Sequence, residues 1–238
     1  MTPPGGAGHE SRGLTGKVVL VAGATGDLGG AVTVAFVAAG AHVVALGRTL
    51  YRGAPEVHAI AADLGDEAAV EQAVAEVVSR HGRLDVLVSV VGGFTMGDPV
   101  ASLPTETWRR MMALNLDTQF FLCRAAVRPM FAQGAGRIVT VGSRSAFQPQ
   151  PGAAAYAVSK AALVAFTQNL AAEVRDAGVT VNAILPSIID TPPNRRAMPD
   201  ADFTRWPTPA ELAAVILFLA GPDAAIISGA ALPVYGRA

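Results

Sequence analysis

Seven short runs crowded with Val, Ile and Leu alternate along this chain with longer helical stretches: "KVVLVAG" from Lys17, "AHVVALG" from Ala41, "VHAIAAD" from Val57, "LDVLVSVVG" from Leu84, "GRIVTVGS" from Gly136, "VTVNAILP" from Val179 and "ALPVYG" from Ala231. A strand covered on both faces needs apolar side chains at nearly every position, so such runs mark a parallel sheet enclosed by helices. The helical patterns fall near residues 28–39, 66–81, 105–133, 154–176 and 209–220. Repeated β-α units of this kind predict an α/β, doubly wound sheet of about seven strands with helices on both faces. Ligands of such sheets bind beyond the carboxyl ends of the strands.

With 238 residues, 51% hydrophobic and 16% charged, the chain can enclose one sizeable core and is short for two domains. A single domain over 14–238 is expected, behind a disordered tail, 1–13, which reads "MTPPGGAGHESRG" and has no apolar targeting core. The net charge of -1 gives no broad electrostatic footprint for nucleic acid or an anionic membrane. Accordingly, the pairs Arg109/Arg110 and Arg195/Arg196 read as solvated surface. The late apolar run "LAAVILFLAG" from Leu212 is shorter than the roughly 20 residues of a membrane span and reads as a buried helix. A lone Cys123 in an apolar helical pattern suits packing in a reducing cytoplasm. His9, His42, His58 and His81 are scattered without ligand spacing, so no metal site is expected.

The first run leads directly into Gly23, Gly26, Gly29 and Gly30 and then into a helix. Glycines there let backbone amides approach a pyrophosphate, and the helix N-terminus favours its charge. Further on, "YAVSK" sets Tyr156 and Lys160 four residues apart, on one face of a helix. Thirteen positions before the tyrosine, Ser143 ends the run "GRIVTVGS".

Taken together, these residues resemble the short-chain dehydrogenase/reductase family, from about Leu14 to the C-terminus. The resemblance implies a Rossmann-like domain and hydride transfer between NADP(H) or NAD(H) and a small-molecule carbonyl or alcohol substrate. The family's serine matches Ser143, its Tyr-x-x-x-Lys matches Tyr156 and Lys160, and its helix asparagine matches Asn115 in "MALNLDTQFFLCRAA". By resemblance Tyr156 protonates the developing alkoxide, Ser143 hydrogen-bonds the substrate oxygen, Lys160 holds the nicotinamide ribose, and Asn115 supports a proton-relaying water. A free phenol titrates near pH 10, so the Lys160 cation is expected to favour its ionised form. A serine hydrolase is disfavoured, because "VGSRSA" lacks the glycines of a nucleophile elbow.

The family's glycine-rich loop is matched by "AGATGDLG", which makes Gly23, Thr25, Gly26, Asp27, Leu28 and Gly29 the expected cofactor contacts. Ala22 stands where the family has threonine, and Asp27 where it has its middle glycine. "SVVG", ending in Gly92, replaces Asn-Asn-Ala-Gly, and Pro186 is followed by Ser187 rather than glycine. Asp63 and Leu64 match the adenine contacts, and Pro186, Ile189 and Thr191 the nicotinamide side. The second run ends "ALGRT", with no acid for a ribose 2'-hydroxyl; Arg48 could pair with a 2'-phosphate, which favours NADP(H) over NAD(H). Residues 185–206, "LPSIIDTPPNRRAMPDADFTRW", and "VVGGFTMG" are similar to dihydropteridine reductases, which lack the family serine. Reduction of a quinonoid dihydropterin is therefore one alternative, and a non-catalytic NADPH-binding sensor another. Phe94, Met96, Phe147, Phe203 and Trp206 are expected around an apolar substrate. The resemblance also implies a homo-oligomer, tetramer or dimer, built on the long helices, of which "ALVAFTQNLAAEV" is apolar enough to serve.

Overall fold

The computed structural model describes residues 13–238; apart from Gly13, the tail expected over 1–13 lies outside the described residues. All seven apolar runs form strands: β1 (Val18–Ala22), β2 (His42–Gly47), β3 (His58–Ala61), β4 (Val86–Ser89), β5 (Gly136–Val141), β6 (Val179–Pro186) and β7 (Ala231–Val234). They build one sheet in the order β3-β2-β1-β4-β5-β6-β7, and every pairing is parallel. The helices are α1 (Asp27–Ala38), α2 (Glu67–His81), α3 (Thr105–Met112), α4 (Thr118–Gln133), α5 (Ala154–Glu173), α6 (Pro192–Ala197) and α7 (Pro209–Ala220). Among the described residues no helix is long and apolar enough to cross a membrane.

Successive side chains of a strand point to opposite faces, and here both faces are buried. Leu20, Leu46, Leu87, Ile138 and Val181 pack with Val74, Leu122, Ala126 and Leu170 from α2, α4 and α5. Their alternates Val19, Val21, Val43, Val88 and Val139 pack with Val32 and Phe36 of α1 and with Leu212 and Ile216 of α7. Local chemistry sets the helix ends. Asp66 Oδ1 accepts from the Ala68 amide at 2.9 Å, Gly82 closes α2 in the left-handed region, and Thr208 with Glu211 forms a capping box on α7.

Two departures from the sequence reading occur. The single helix expected over 105–133 is interrupted by a π-helical turn at Ala113–Asp117, where Thr118 Oγ1 donates at 3.1 Å to the Ala113 carbonyl. The extra residue in this wider turn aims Asn115 inward. The short α6 was not foreseen; Pro192 and Pro193 start it and the Thr191 side chain caps it.

At the amino ends of the strands, Asp85 ties β4 to β1. Its carboxylate accepts from the Val18 amide at 2.9 Å, from Arg83 at 2.8 and 2.5 Å, and from Lys17 at 3.4 Å. Burial alone would push this carboxyl up, but Arg83, the Val18 amide and Lys17 outweigh burial and hold it below the usual range. A depressed folded pKa contributes stability above the unfolded value of about 3.9, and that contribution is lost as pH falls through the folded value. Asp85→Ala is expected to cost about 1–3 kcal/mol near neutral pH, because the buried Val18 amide loses its acceptor. In denaturant titrations the gap from the parent protein should narrow as pH drops below the carboxylate range.

Candidate functional site

Strand order reverses between β1 and β4, so the chains leaving these two neighbours diverge and open a crevice above their carboxyl ends. One part is a cleft of about 850 Å³ between the glycine turn and α3–α4. Gly23, Thr25, Gly26, Arg48, Asp63, Leu64 and Gly92 line it, all of them residues singled out in the sequence. The other part, about 300 Å³, is lined by Leu28, Gly92, Ser143, Tyr156, Lys160, Pro186 and Ile189. Val90 and Gly92 border both, so the two parts adjoin.

The glycine turn is shaped by close backbone packing. Gly23 has φ +87°, donates to the Leu46 carbonyl at 2.8 Å and accepts from the Gly26 amide at 3.2 Å. A Cβ on Gly29 would overlap the Gly23 carbonyl, which pins the start of α1 against the turn. Gly26 caps α1 without any side-chain hydrogen bond, so amides of the first turn stay free at the cleft. Asp27, the first residue of α1, is exposed, accepts no hydrogen bond among the described residues and lines neither cavity. Gly29 is buried beneath the turn rather than lining the cleft.

Arg48 follows β2, is exposed, and makes no ion pair or hydrogen bond among the described residues. Asp63 Oδ1 accepts from the Gly65 amide at 3.0 Å. Arg110, read from the sequence as solvated surface, is exposed and also lines the cleft. Arg195 likewise is engaged: it pairs with both Asp190 carboxylate oxygens, at 2.5 and 2.7 Å, and its guanidinium lies 4.8 Å from the Phe203 ring centroid.

In the smaller cavity, Ser143 stands two residues beyond the end of β5, and α5 presents Tyr156 and Lys160 one turn apart. Ser143 Oγ accepts from the Ser145 amide at 3.1 Å, which leaves its hydroxyl hydrogen for a further partner. Lys160 is 4% exposed, and its Nζ donates to the Val141 carbonyl at 2.8 Å. Burial brings the ammonium down to about 8. Burial also raises the Tyr156 phenol above its ordinary value, and the Ser143 hydroxyl only partly opposes this. Burial is thus the first influence on Tyr156, while Lys160 Nζ donates to the Val141 carbonyl.

Asn115 is fully buried and does not line the cavity. Its Oδ1 accepts from the Gly93 amide at 2.8 Å, while Nδ2 donates to the Gly93 carbonyl at 3.1 Å and to Ser159 Oγ at 3.0 Å. Thr191 also stands off the cavity, capping α6 through the Asn194 amide at 3.4 Å. Of the expected apolar wall, only Phe94 borders the cavity, with its ring edge-on to Tyr156 at 4.9 Å between centroids. Phe203 and Trp206 pack on each other at 5.0 Å and border separate crevices with Glu211, while Met96 and Phe147 are exposed. The histidines are not all scattered. His42, His58 and His81 stack at the far ends of β2, β3 and α2, although among the described residues no group of three His, Cys, Asp or Glu is placed to hold a metal ion. Ser159 and Gly93 escaped the sequence reading; a buried serine next to the lysine was the available signal.

Residues 17–202 match the family model described as short chain dehydrogenase. The 2-(R)-hydroxypropyl-CoM dehydrogenase of Xanthobacter autotrophicus is 33% identical over 92% of this chain and 97% of its own length. Among solved structures, an NAD+-bound xylitol dehydrogenase superposes with TM-score 0.86 at 27% identity, covering 94% of this chain and 99% of its own. ElxO with NADP bound gives TM-score 0.87 at 25% identity, covering 93% and 98%.

The packing of the glycine turn sets a direct test. Gly29→Ala is expected to lower stability by about 2 kcal/mol or more, since rigid backbone opposes the added methyl. Gly26→Ala, whose Cβ would meet only the Gly23 carbonyl at 3.6 Å, should cost no more than about 1 kcal/mol as a poorer cap. Melting both variants beside the parent checks the contrast.

Proposed function

Since the chain belongs to the short chain dehydrogenase family, we propose that it moves hydride between a nicotinamide dinucleotide and the carbon of a carbonyl or alcohol substrate, with Tyr156 as the acid. The observation that carries this reading is the convergence of Ser143, Tyr156 and Lys160 in one cavity that adjoins the glycine-turn cleft. The donor set there fits a dinucleotide. Gly23, Gly26 and Gly29 allow close backbone approach, the uncapped amides of α1 suit a pyrophosphate, and Thr25, Leu28, Asp63, Leu64, Gly92, Pro186 and Ile189 surround the rest. Asp27, exposed and lining neither cavity, leaves that approach open.

When bound, the nicotinamide supplies or accepts the hydride. Ser143 orients the substrate oxygen by a hydrogen bond, and Tyr156 gives it a proton as negative charge develops. A raised phenol pKa keeps that proton in place at neutral pH, which suits reduction. Lys160, charged below about 8, stabilises the phenolate left behind and holds the nicotinamide ribose. Asn115 acts from beneath, by fixing Gly93.

NADP(H) is the favoured cofactor, supported by the unpaired Arg48 after β2 and the absence of an acid in "ALGRT". The substrate is an apolar carbonyl compound or its alcohol: among the described residues Lys160 is the only charged one lining the small cavity, and Phe94, Leu28 and Ile189 are among its walls. Self-association through α4 and α5 belongs to this reading, supported by the exposed Phe120, Phe131 and Val158. So does a cytoplasmic setting, with the lone thiol Cys123 fully buried. Reduction of a quinonoid dihydropterin is the alternative, resting on the likeness of residues 185–206, and Ser143 weighs against it. A sensor without turnover is the other.

Oxidation of NADPH and NADH should be measured against apolar ketones, aldehydes, quinones and dihydropterins. Tyr156→Phe is expected to slow carbonyl reduction at least about 100-fold while cofactor affinity holds, because the ring keeps its packing. Unchanged turnover removes Tyr156 from the chemistry. Turnover of dihydropterins alone selects the pterin reading, and cofactor binding with no turnover selects the sensor. Arg48→Ala should weaken NADPH in calorimetric titration more than NADH, since only the former offers a 2'-phosphate; equal losses refute that pairing.

A further inference from the structure

We propose that Ser159 is a positioning residue for the Tyr156 ring, joining the first turns of α5 to the loop after β4 through Asn115. The inference rests on the reading of Tyr156 as the acid, and its geometry is a closed circuit. Ser159 is fully buried, and its Oγ donates to the Tyr156 carbonyl at 2.7 Å while accepting from Asn115 Nδ2 at 3.0 Å. Asn115 holds the Gly93 amide at 2.8 Å and the Gly93 carbonyl at 3.1 Å. The next residue, Phe94, returns to the starting point by laying its ring edge-on against Tyr156, at 4.9 Å and 81°.

A serine bonding its own helix three residues back is a local habit and carries little by itself. Here the same oxygen also accepts from a residue 44 positions away. The hydroxyl has one hydrogen, which goes to Tyr156, so it can only accept from Asn115. Asn115 in turn has two amide hydrogens, one for Gly93 and one for Ser159; its other neighbour is the Met111 sulfur at 3.8 Å, a weak acceptor. Each donor direction is thereby assigned, and the ring that must face the substrate is fixed from its backbone and from its edge. Without the Ser159 oxygen, one Asn115 hydrogen is buried without a good partner, and Gly93, Phe94 and Tyr156 lose their shared register. Among the described residues, the titratable groups lining the Tyr156 cavity are Tyr156 itself and Lys160 of the same helix, with the Ser143 hydroxyl on the loop after β5.

The test uses the full chain with Ser159→Ala, Ser159→Thr and Tyr156→Phe. Two readouts are taken: kcat and KM for reduction of an apolar ketone by NADPH, and ultraviolet titration of phenolate in the protein without cofactor. The chain has three tyrosines, so subtracting the Tyr156→Phe curve isolates Tyr156. Ser159→Ala is expected to lower kcat about tenfold with KM within about twofold, as misplacement by a fraction of an ångström would do. It should also move the Tyr156 titration upward, because the Ser143 hydroxyl loses its alignment. Ser159→Thr, which keeps the hydroxyl, should restore both. An unmoved Tyr156 titration in Ser159→Ala overturns the proposal, whatever happens to kcat, and so does a shift that threonine fails to restore in a folded protein. Should the threonine variant not fold, the alanine titration alone decides. If Tyr156→Phe retains full activity, the assignment of the acid fails instead, and the titration still reports whether Ser159 positions the ring.

Discussion

Two neighbouring parallel strands that send their chains in opposite directions, β1 toward α1 and β4 toward α3, create the opening on which everything else in the molecule converges. The opening exists only if both chains leave tightly. On the β1 side this demands backbone against backbone, with Gly29 under the Gly23 carbonyl. On the β4 side it demands that Gly92 and Gly93 pass close over Asn115, Lys160 and Leu114, where side chains at those positions would collide. Glycine in these turns answers a packing constraint first; the free amides of α1 are its consequence.

The sheet was legible because burial on both faces writes itself into a strand as uninterrupted Val, Ile and Leu. All seven strands could be read from "KVVLVAG" to "ALPVYG", with errors only at their ends. Hydrophobic period could not reveal the π turn at Asn115, since one extra residue in a helix of 29 positions barely disturbs a 3.6-residue pattern read over 105–133. Nor could it reveal α6, six residues long and started by two prolines. The stacked His42, His58 and His81 come from two strands and a helix, and only the fold makes them neighbours.

Within the site, spacing along one element was readable and direction between elements was not. Tyr156 and Lys160 share a helix face by their spacing, and Ser143, two residues past β5, joins them in one cavity. Arg110 against Arg109, or Phe94 against Phe203 and Trp206, are choices made by loops and by the rotation of α3. Nothing in a short stretch of sequence distinguishes an arginine that lines a cleft from its solvated neighbour.

The electrostatics of the cavity were the least legible part, because they depend on a competition that sequence names without weighing. A lysine four residues from a tyrosine argues for an ionised phenol, while burial argues against it. In the folded protein burial prevails at both residues: it raises the phenol and lowers the ammonium to about 8, so two groups with nearly equal ordinary values move apart. Among the described residues neither group meets a carboxylate that would fix its charge, so the state of the pair responds to whatever charge arrives between them. A substrate oxygen gaining negative charge would meet a phenol that still holds its proton and an ammonium ready to stabilise the phenolate left behind. The low-dielectric cavity that makes both groups uncomfortable alone is what would make their cooperation strong.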